Sequence, residues 1–221
     1  MNGYHLKIIR HSMTEANTDG RYIGVTDLPL SPEGKTDLLN KMDKFDYTSV
    51  QRVYSSPLKR CIQTANLLYP DVYVRTVNEI REMNFGEFEG KNADELVNLP
   101  EFKQWLKGGI DNAPPKGESI AQVIERCYEG FDFIISDMMQ EGLTNCAVVT
   151  HGGIIMNALS CFGVPKYKPM DLTCDFGEGY EIMATAQLWQ ASNAFELLGK
   201  FPYLREENKD LLGALTSDIL R

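Results

Sequence analysis

Leu6-Lys-Ile-Ile-Arg-His-Ser-Met-Thr-Glu-Ala-Asn17 is the stretch whose reading decides the fold. An apolar run with two β-branched isoleucines ends abruptly in Arg10-His11, and a small polar residue follows. The run reads as a buried strand. Arg10 and His11 then sit at its C-terminal end, the side of an open α/β sheet where ligands bind. A second run, Val148-Val-Thr, ends the same way in His151-Gly152-Gly153. The chain has only three histidines, at positions 5, 11 and 151, so two of the three fall at strand ends.

Working outward, strand-like runs recur near 6–10, 52–55, 72–77 and 146–150, with helix-like stretches between them. Ser31-Pro32 and Ser56-Pro57 each read as an N-cap followed by proline at the first helical position, the second helix running to about Leu68. A further helix is expected over 93–107. The clearest covers 120–140, where Val123, Ile124, Cys127, Phe131, Ile134 and Ile135 keep three- and four-residue spacing and Ser119 with Gln122 makes a capping box. Another helix is expected after Gly152-Gly153. Gln187–Gln190 and Phe195–Leu198 read as a terminal hairpin, and the tail from Glu206 as a weakly amphipathic docked helix. Strands alternating with helices imply a three-layer α/β/α sandwich around a mostly parallel sheet. We expect one domain over 1–221, with 91–117 and 164–183 capping the site.

Composition narrows the function. The net charge of -9 argues against a nucleic-acid partner, which requires a basic face. No apolar run approaches a membrane span, and no signal peptide is read at the N-terminus. The five scattered cysteines contain no Cys-x-x-Cys pair and read as reduced and packed, which fits a cytoplasmic protein.

Four segments carry chemistry: Arg10-His11, Val53–Arg60, Ile80–Gly90 and Val148–Gly153. A parallel sheet brings these to one edge. Two arginines there match phosphate oxygens with planar forks. Helix N-termini after His11 and His151 add N–H donors. A neutral imidazole at His11 can attack phosphorus, and Glu82 can protonate the leaving alkoxide if its pKa is raised.

The chain resembles the histidine phosphatase superfamily, which includes cofactor-dependent phosphoglycerate mutases. The resemblance rests on Arg10-His11 with Thr14 and Asn17, the loop Gly20–Gly34, Ser55-Ser-Pro-Leu-Lys-Arg60 with Gln63-Thr64-Ala65, Glu82 ahead of Phe85-Gly86 and Glu89-Gly90, Pro115-Lys-Gly-Glu-Ser119 and His151-Gly152-Gly153. It implies a phosphoglycerate mutase-like fold and metal-independent phosphoryl transfer, with no cofactor. By that resemblance His11 is the phosphorylated nucleophile, and Arg10, Arg60 and His151 bind the phosphoryl group. Asn17 is a further contact and Glu82 the proton donor. Gly152 joins the substrate-binding set. Arg21 is read as either loop surface or substrate contact. Ser12 departs from the family's usual glycine, and a positive φ there would strain it.

Blander roles are expected elsewhere. His5 is read as exposed, Arg81, Glu87 and Glu89 as a solvated loop face, and Glu79 as a rival acid to Glu82. Glu118 is read as a carboxylate bracing the pocket. Phe102, Trp105, Tyr167, Met170, Phe176 and Tyr180 are expected to pack on one another more than on substrate. The 91–117 segment lacks arginine and Ile23 replaces a mutase hydroxyl, so hydrolysis of a small phosphorylated metabolite is favoured over mutase transfer. The loops look most like those of α-ribazole phosphatases, with sugar phosphates sharing the pattern. A non-catalytic phosphate-binding protein is the alternative of a different class. Oligomeric state is not legible.

Overall fold

The structure, a computed structural model, describes residues 3–205. In chain order, β1 (Tyr4–Arg10) leads through α1 (Glu15–Thr18) and α2 (Pro32–Lys44) to a short strand β2 (Phe45–Asp46). Then follow β3 (Val53–Ser55), α3 (Lys59–Leu68), β4 (Val74–Thr76), α4 (Ala93–Leu96), α5 (Pro100–Leu106) and the long α6 (Ile120–Glu141). β5 (Asn145–Thr150) and α7 (Gly152–Phe162) precede β6 (Gly163–Val164), β7 (Gly179–Ala184), α8 (Ala186–Ser192), β8 (Phe195–Phe201) and β9 (Tyr203–Leu204).

Seven strands form one sheet in the order β4-β3-β5-β1-β7-β8-β6, and β2 pairs with β9 apart from it. β1, β3, β4 and β5 run parallel, and β7 lies antiparallel between β1 and β8. Successive side chains of a strand point to opposite faces, and both faces are covered. Leu6 and Ile8 join Cys146 and Val148 under α6 and α7, whereas Ile9 joins Ala147 and Val149 under α2 and α3. Each fully buried Leu, Ile or Val of this set contributes about 1.5–3 kcal/mol. This is the expected three-layer sandwich.

Most element boundaries follow the sequence signals. Ser119 Oγ accepts from the Gln122 amide at 3.3 Å while Gln122 Oε1 accepts from the Ser119 amide at 2.9 Å, and the helix stops at Gly142 in the left-handed region. Ser31 caps α2 by accepting from the Gly34 amide at 2.9 Å.

Other expectations need correction. α3 begins at Lys59 rather than at Ser56-Pro57, because the sheet ladder continues to Ser56, whose amide donates to the Val149 carbonyl at 2.9 Å. Asp27, from a distant loop, then accepts the Lys59 amide at 2.7 Å. The 93–107 helix is two helices, because Pro100 forces Leu99 into extended backbone and restarts the chain. Gln187–Gln190 is no strand: it lies in α8, capped by Thr185, with Trp189 turned into the core. The partner of β8 is instead β7, so the end of the 164–183 segment is a central strand and not part of a cap. The helix read from Glu206 onward lies outside the described residues. Among the described residues, no helix is long and apolar enough to cross a membrane.

Candidate active site

Strand register assembles the site. Arg10 is level with Thr150 and Ser55 with Val149, so β1, β5 and β3 end together. The residues just beyond those ends, His11, His151 and Ser56, therefore become neighbours. The two imidazoles stand edge to face with centroids 5.0 Å apart.

His11 is buried, and its Nδ1 lies 2.6 Å from the Ser12 carbonyl. A carbonyl only accepts, so Nδ1 carries the proton and the lone pair is left on Nε2. Burial, followed by the charges of Arg60 and Arg10, lowers the His11 pKa to about 3. The ring is thus neutral at ordinary pH. His151 is fully buried, and burial together with His11 and Arg60 holds its pKa well below the usual histidine range. Its Nδ1 accepts from Arg60 Nε at 3.3 Å, so Nε2–H donates to Ser56 Oγ at 2.8 Å.

The loop after His11 is tied down at several points. The Ser12 amide donates to Thr64 Oγ1 at 2.9 Å, and Thr64 Oγ1 donates to the Arg60 carbonyl at 2.7 Å. Ser12 Oγ donates to the Gly34 carbonyl at 2.7 Å. The positive-φ non-glycine residues among those described are Thr48, Lys116 and Asn193, so Ser12 carries no such strain. Its hydroxyl adds a hydrogen bond where glycine has none.

Arg60 stands in the first turn of α3, only 1% exposed. Its Nη1 and Nη2 donate to the carbonyls of Thr26 at 2.8 Å and Gly24 at 2.6 Å. The opposite side of that loop is held by Glu89. Its carboxylate accepts from the amides of Gly24, Val25 and Phe85 at 3.0–3.1 Å and of Thr26 at 3.2 Å. Glu89 is therefore turned inward, a correction to its reading as a solvated loop residue. Glu87 does face solvent, where it pairs with Lys116 at 2.8 Å.

Arg10 donates from Nη1 to the Cys174 carbonyl at 2.8 Å and lies 3.9 Å above the Phe176 ring. Its Nε is buried without a hydrogen-bond partner. A Cβ on Gly152 would stand 3.3 Å from that Nε, and one on Gly153 only 2.6 Å from Glu82 Oε1. The Gly-Gly pair thus lets the N-terminus of α7 approach both functional groups. Glu82 accepts from the Met83 amide at 2.9 Å through Oε1 and the Gly153 amide at 3.2 Å through Oε2. Burial outweighs these bonds and nearby arginines, and raises its pKa.

Arg10, His11, Asn17, Arg21, Glu82 and Gly152 share one cavity of about 260 Å³. Glu82, rather than Glu79, is the carboxylate in its wall. Arg60 and His151, expected from the sequence to bind the phosphoryl group, do not line this cavity: His151 packs edge to face on His11, and Arg60 hydrogen-bonds to His151. Asn17 Oδ1 is engaged by the Thr14 amide and hydroxyl, both at 2.9 Å. Arg21 borders the cavity while pairing with Glu95 at 3.1 Å and Asp19 at 3.4 Å. Tyr22, Ile23 and Phe85 give the cavity an apolar side, backed by Phe102 and Trp105 packed on one another and on Phe88. A larger cavity, about 380 Å³, lies across Arg10 and contains neither histidine nor Glu82. His5 is half-buried against Glu181 at 2.8 Å, remote from the site in the sheet.

Sequence reasoning missed Phe176 as the support of Arg10, and Thr64 and Glu89 as the ties of the two loops. Thr64 had a signal, since it belongs to the Gln63-Thr64-Ala65 motif beside Arg60. Phe176 and Glu89 act through contacts with residues distant in sequence, which no spacing announces.

Known proteins place the chain. Residues 6–191 match the model of the histidine phosphatase superfamily, branch 1. The adenosylcobalamin/alpha-ribazole phosphatase of Escherichia coli K12 is 29% identical over 213 residues, 94% of this chain and 97% of that protein. Phosphoserine phosphatase 1 of Hydrogenobacter thermophilus is 29% identical over 176 residues, 77% and 82% of the two chains. The crystal structure of phosphoglycerate mutase from Bacillus anthracis superposes with a TM-score of 0.72 at 23% identity, covering 90% of this chain and 92% of that one, a likeness of fold. The superfamily model spans most of the chain, and by that match this protein belongs to the histidine phosphatase superfamily, branch 1.

Proposed function

We propose that the protein hydrolyses a small phosphomonoester through a phosphohistidine on His11. The observation that carries the reading is a buried, neutral His11 with its Nε2 lone pair free, sharing one cavity with a carboxyl of raised pKa at Glu82. In the first step Nε2 attacks phosphorus. The P–N bond forms, the P–O bond to the alcohol breaks, and Glu82 gives its proton to the departing oxygen. In the second step water attacks phosphorus, its proton returns to Glu82, and the P–N bond breaks to release inorganic phosphate. The Arg10 guanidinium at the cavity wall is the cation for a phosphoryl oxygen, with Asn17 and the first-turn amides of α7 beside it. Arg60 keeps the site electropositive, and the neutral ring of His151 packs edge to face against His11.

Hydrolysis is favoured over mutase transfer by the cations at the cavity. A phosphoglycerate brings a second anion, whereas no lysine lines this cavity and Arg21 is already paired with Glu95 and Asp19. The apolar side formed by Tyr22, Ile23 and Phe85 fits a monophosphate whose alcohol has a hydrophobic face. α-Ribazole 5′-phosphate, sugar phosphates and phosphoserine are the substrates to compare. Five unpaired cysteines fit a reducing compartment, and we place the enzyme in the cytoplasm.

The test is phosphate release from a panel of these monophosphates in the presence of EDTA. Turnover that His11→Ala abolishes supports the reading. No release from any substrate, or equal release by His11→Ala, overturns it. Interconversion of 2- and 3-phosphoglycerate with a bisphosphoglycerate primer identifies a mutase instead.

A further inference from the structure

α6 carries a cation on its core-facing side, Arg126, between Val123 and Gly130. It lies outside the cavity, is 8% exposed, and all five of its N–H donors are engaged. Nη1 donates to the carbonyls of Glu79 and Arg81, both at 2.7 Å, and Nη2 to the carbonyl of Glu82 at 3.1 Å. Nε and Nη2 also reach the two oxygens of Glu118 at 2.9 and 3.0 Å. Glu118 extends the bracket on the far side of Glu82, accepting from the Asn84 amide at 2.8 Å and from Arg81 Nη2 at 3.1 Å. The remaining carbonyl of the run, that of Ile80, accepts from the hydroxyl of Thr150, the residue before His151, at 2.7 Å. Gly130 lets α6 come this close, since a Cβ there would stand 3.0 Å from both Glu79 and Ile80.

We propose that Arg126, with Glu118, is the positioning device for Glu82, an inference that rests on Glu82 being the proton donor. Glu82 belongs to an irregular loop that no helix or strand ladder holds. Its carboxyl is steered by two amides alone, so its aim is inherited from the backbone. Four consecutive carbonyls, Glu79 to Glu82, are each fixed by a side chain of α6 or β5. A planar guanidinium spans three of them together with a carboxylate, whereas an ammonium is a point charge on a flexible stem. A misplacement of about 1 Å at a reacting group costs up to about 100-fold in rate.

A leaving-group comparison separates positioning of the acid from a general structural role. An aryl phosphate with an acidic phenol needs no proton on departure, whereas an alkyl phosphate does. kcat/KM reports the step in which the alcohol leaves. Glu82→Gln should lose about 100-fold or more on the alkyl phosphate and little on the aryl one. Arg126→Lys and Glu118→Gln should show the same bias, with an alkyl loss of about 10-fold. Adding Arg126→Lys to Glu82→Gln should cost no further factor on the alkyl phosphate, as residues acting through one group are non-additive. Equal losses on both substrates for folded Arg126→Lys and Glu118→Gln, or a loss that multiplies in the Glu82→Gln background, overturn the proposal. If Arg126→Lys fails to fold, Glu118→Gln decides alone. Equal losses for the single Glu82→Gln variant overturn the assignment of Glu82 itself, and the proposal with it.

Discussion

Folding this protein excludes a proton from His11, and its stability should therefore fall steeply with acid. The unfolded imidazole titrates at 6.5 and the folded one at about 3. Between those values only the unfolded chain takes up the proton. Stability is then complete above the unfolded pKa and is lost as pH falls toward the folded one. The slope is about 1.4 kcal/mol per pH unit, and the whole window amounts to roughly 5 kcal/mol from this one ring. His151 adds loss of the same sign, since its pKa is also lowered. His11→Asn isolates the first contribution, because asparagine does not titrate and its amide can still donate to the Ser12 carbonyl. Urea unfolding followed by circular dichroism from about pH 6.5 to about pH 4.5 should show the native chain losing about 2 kcal/mol more than the variant. Parallel pH curves would refute the reasoning: His11 would then accept a proton in the fold, and the neutral-nucleophile argument would fail.

Three further substitutions probe the surroundings. Gly153→Ala places a Cβ 2.6 Å from Glu82 Oε1. It should lower kcat/KM on an alkyl phosphate about 10- to 100-fold while the melting temperature holds or rises, because alanine is the better helix former. Glu89→Gln leaves one good acceptor facing the amides that hold the Gly24–Thr26 loop. Loosening of that loop under Arg60 should weaken inhibition by inorganic phosphate about 10-fold and cost about 1–3 kcal/mol in denaturant melts. Ser12→Gly loses the hydrogen bond to the Gly34 carbonyl and adds backbone freedom. It should cost about 1–2 kcal/mol on unfolding and leave kcat within about threefold.

The strand ends were legible because two independent regularities meet there. Apolar runs of the right length mark β1 and β5, and parallel pairing forces their C-terminal ends to one edge, so Arg10-His11 and His151 fall together. Glu82 was legible only through its place ahead of Phe85-Gly86, since nothing periodic surrounds it. Where the reading failed, the local pattern was too short or the partner too distant. Gln187–Gln190 is four residues long and fits either period; the Thr185 cap and Trp189 burial made it helix. Glu89 looked like one acid in an acidic loop because its partners, Gly24 to Thr26, lie more than sixty positions away. Arg126 did leave a trace: a cation among the core-facing residues of an amphipathic helix needs partners of its own.

The central claim is covalent: the phosphoryl group passes through Nε2 of His11. It is tested most directly by mixing the enzyme with a turned-over monophosphate, quenching in alkali on the millisecond scale, and mapping the phosphorylated peptide by mass spectrometry. The account predicts a phosphorylated peptide containing His11. It should form at least as fast as turnover, decay as phosphate appears, and be absent from His11→Asn. Turnover with no phosphorylated protein at any time, or with the label on another residue, would contradict it.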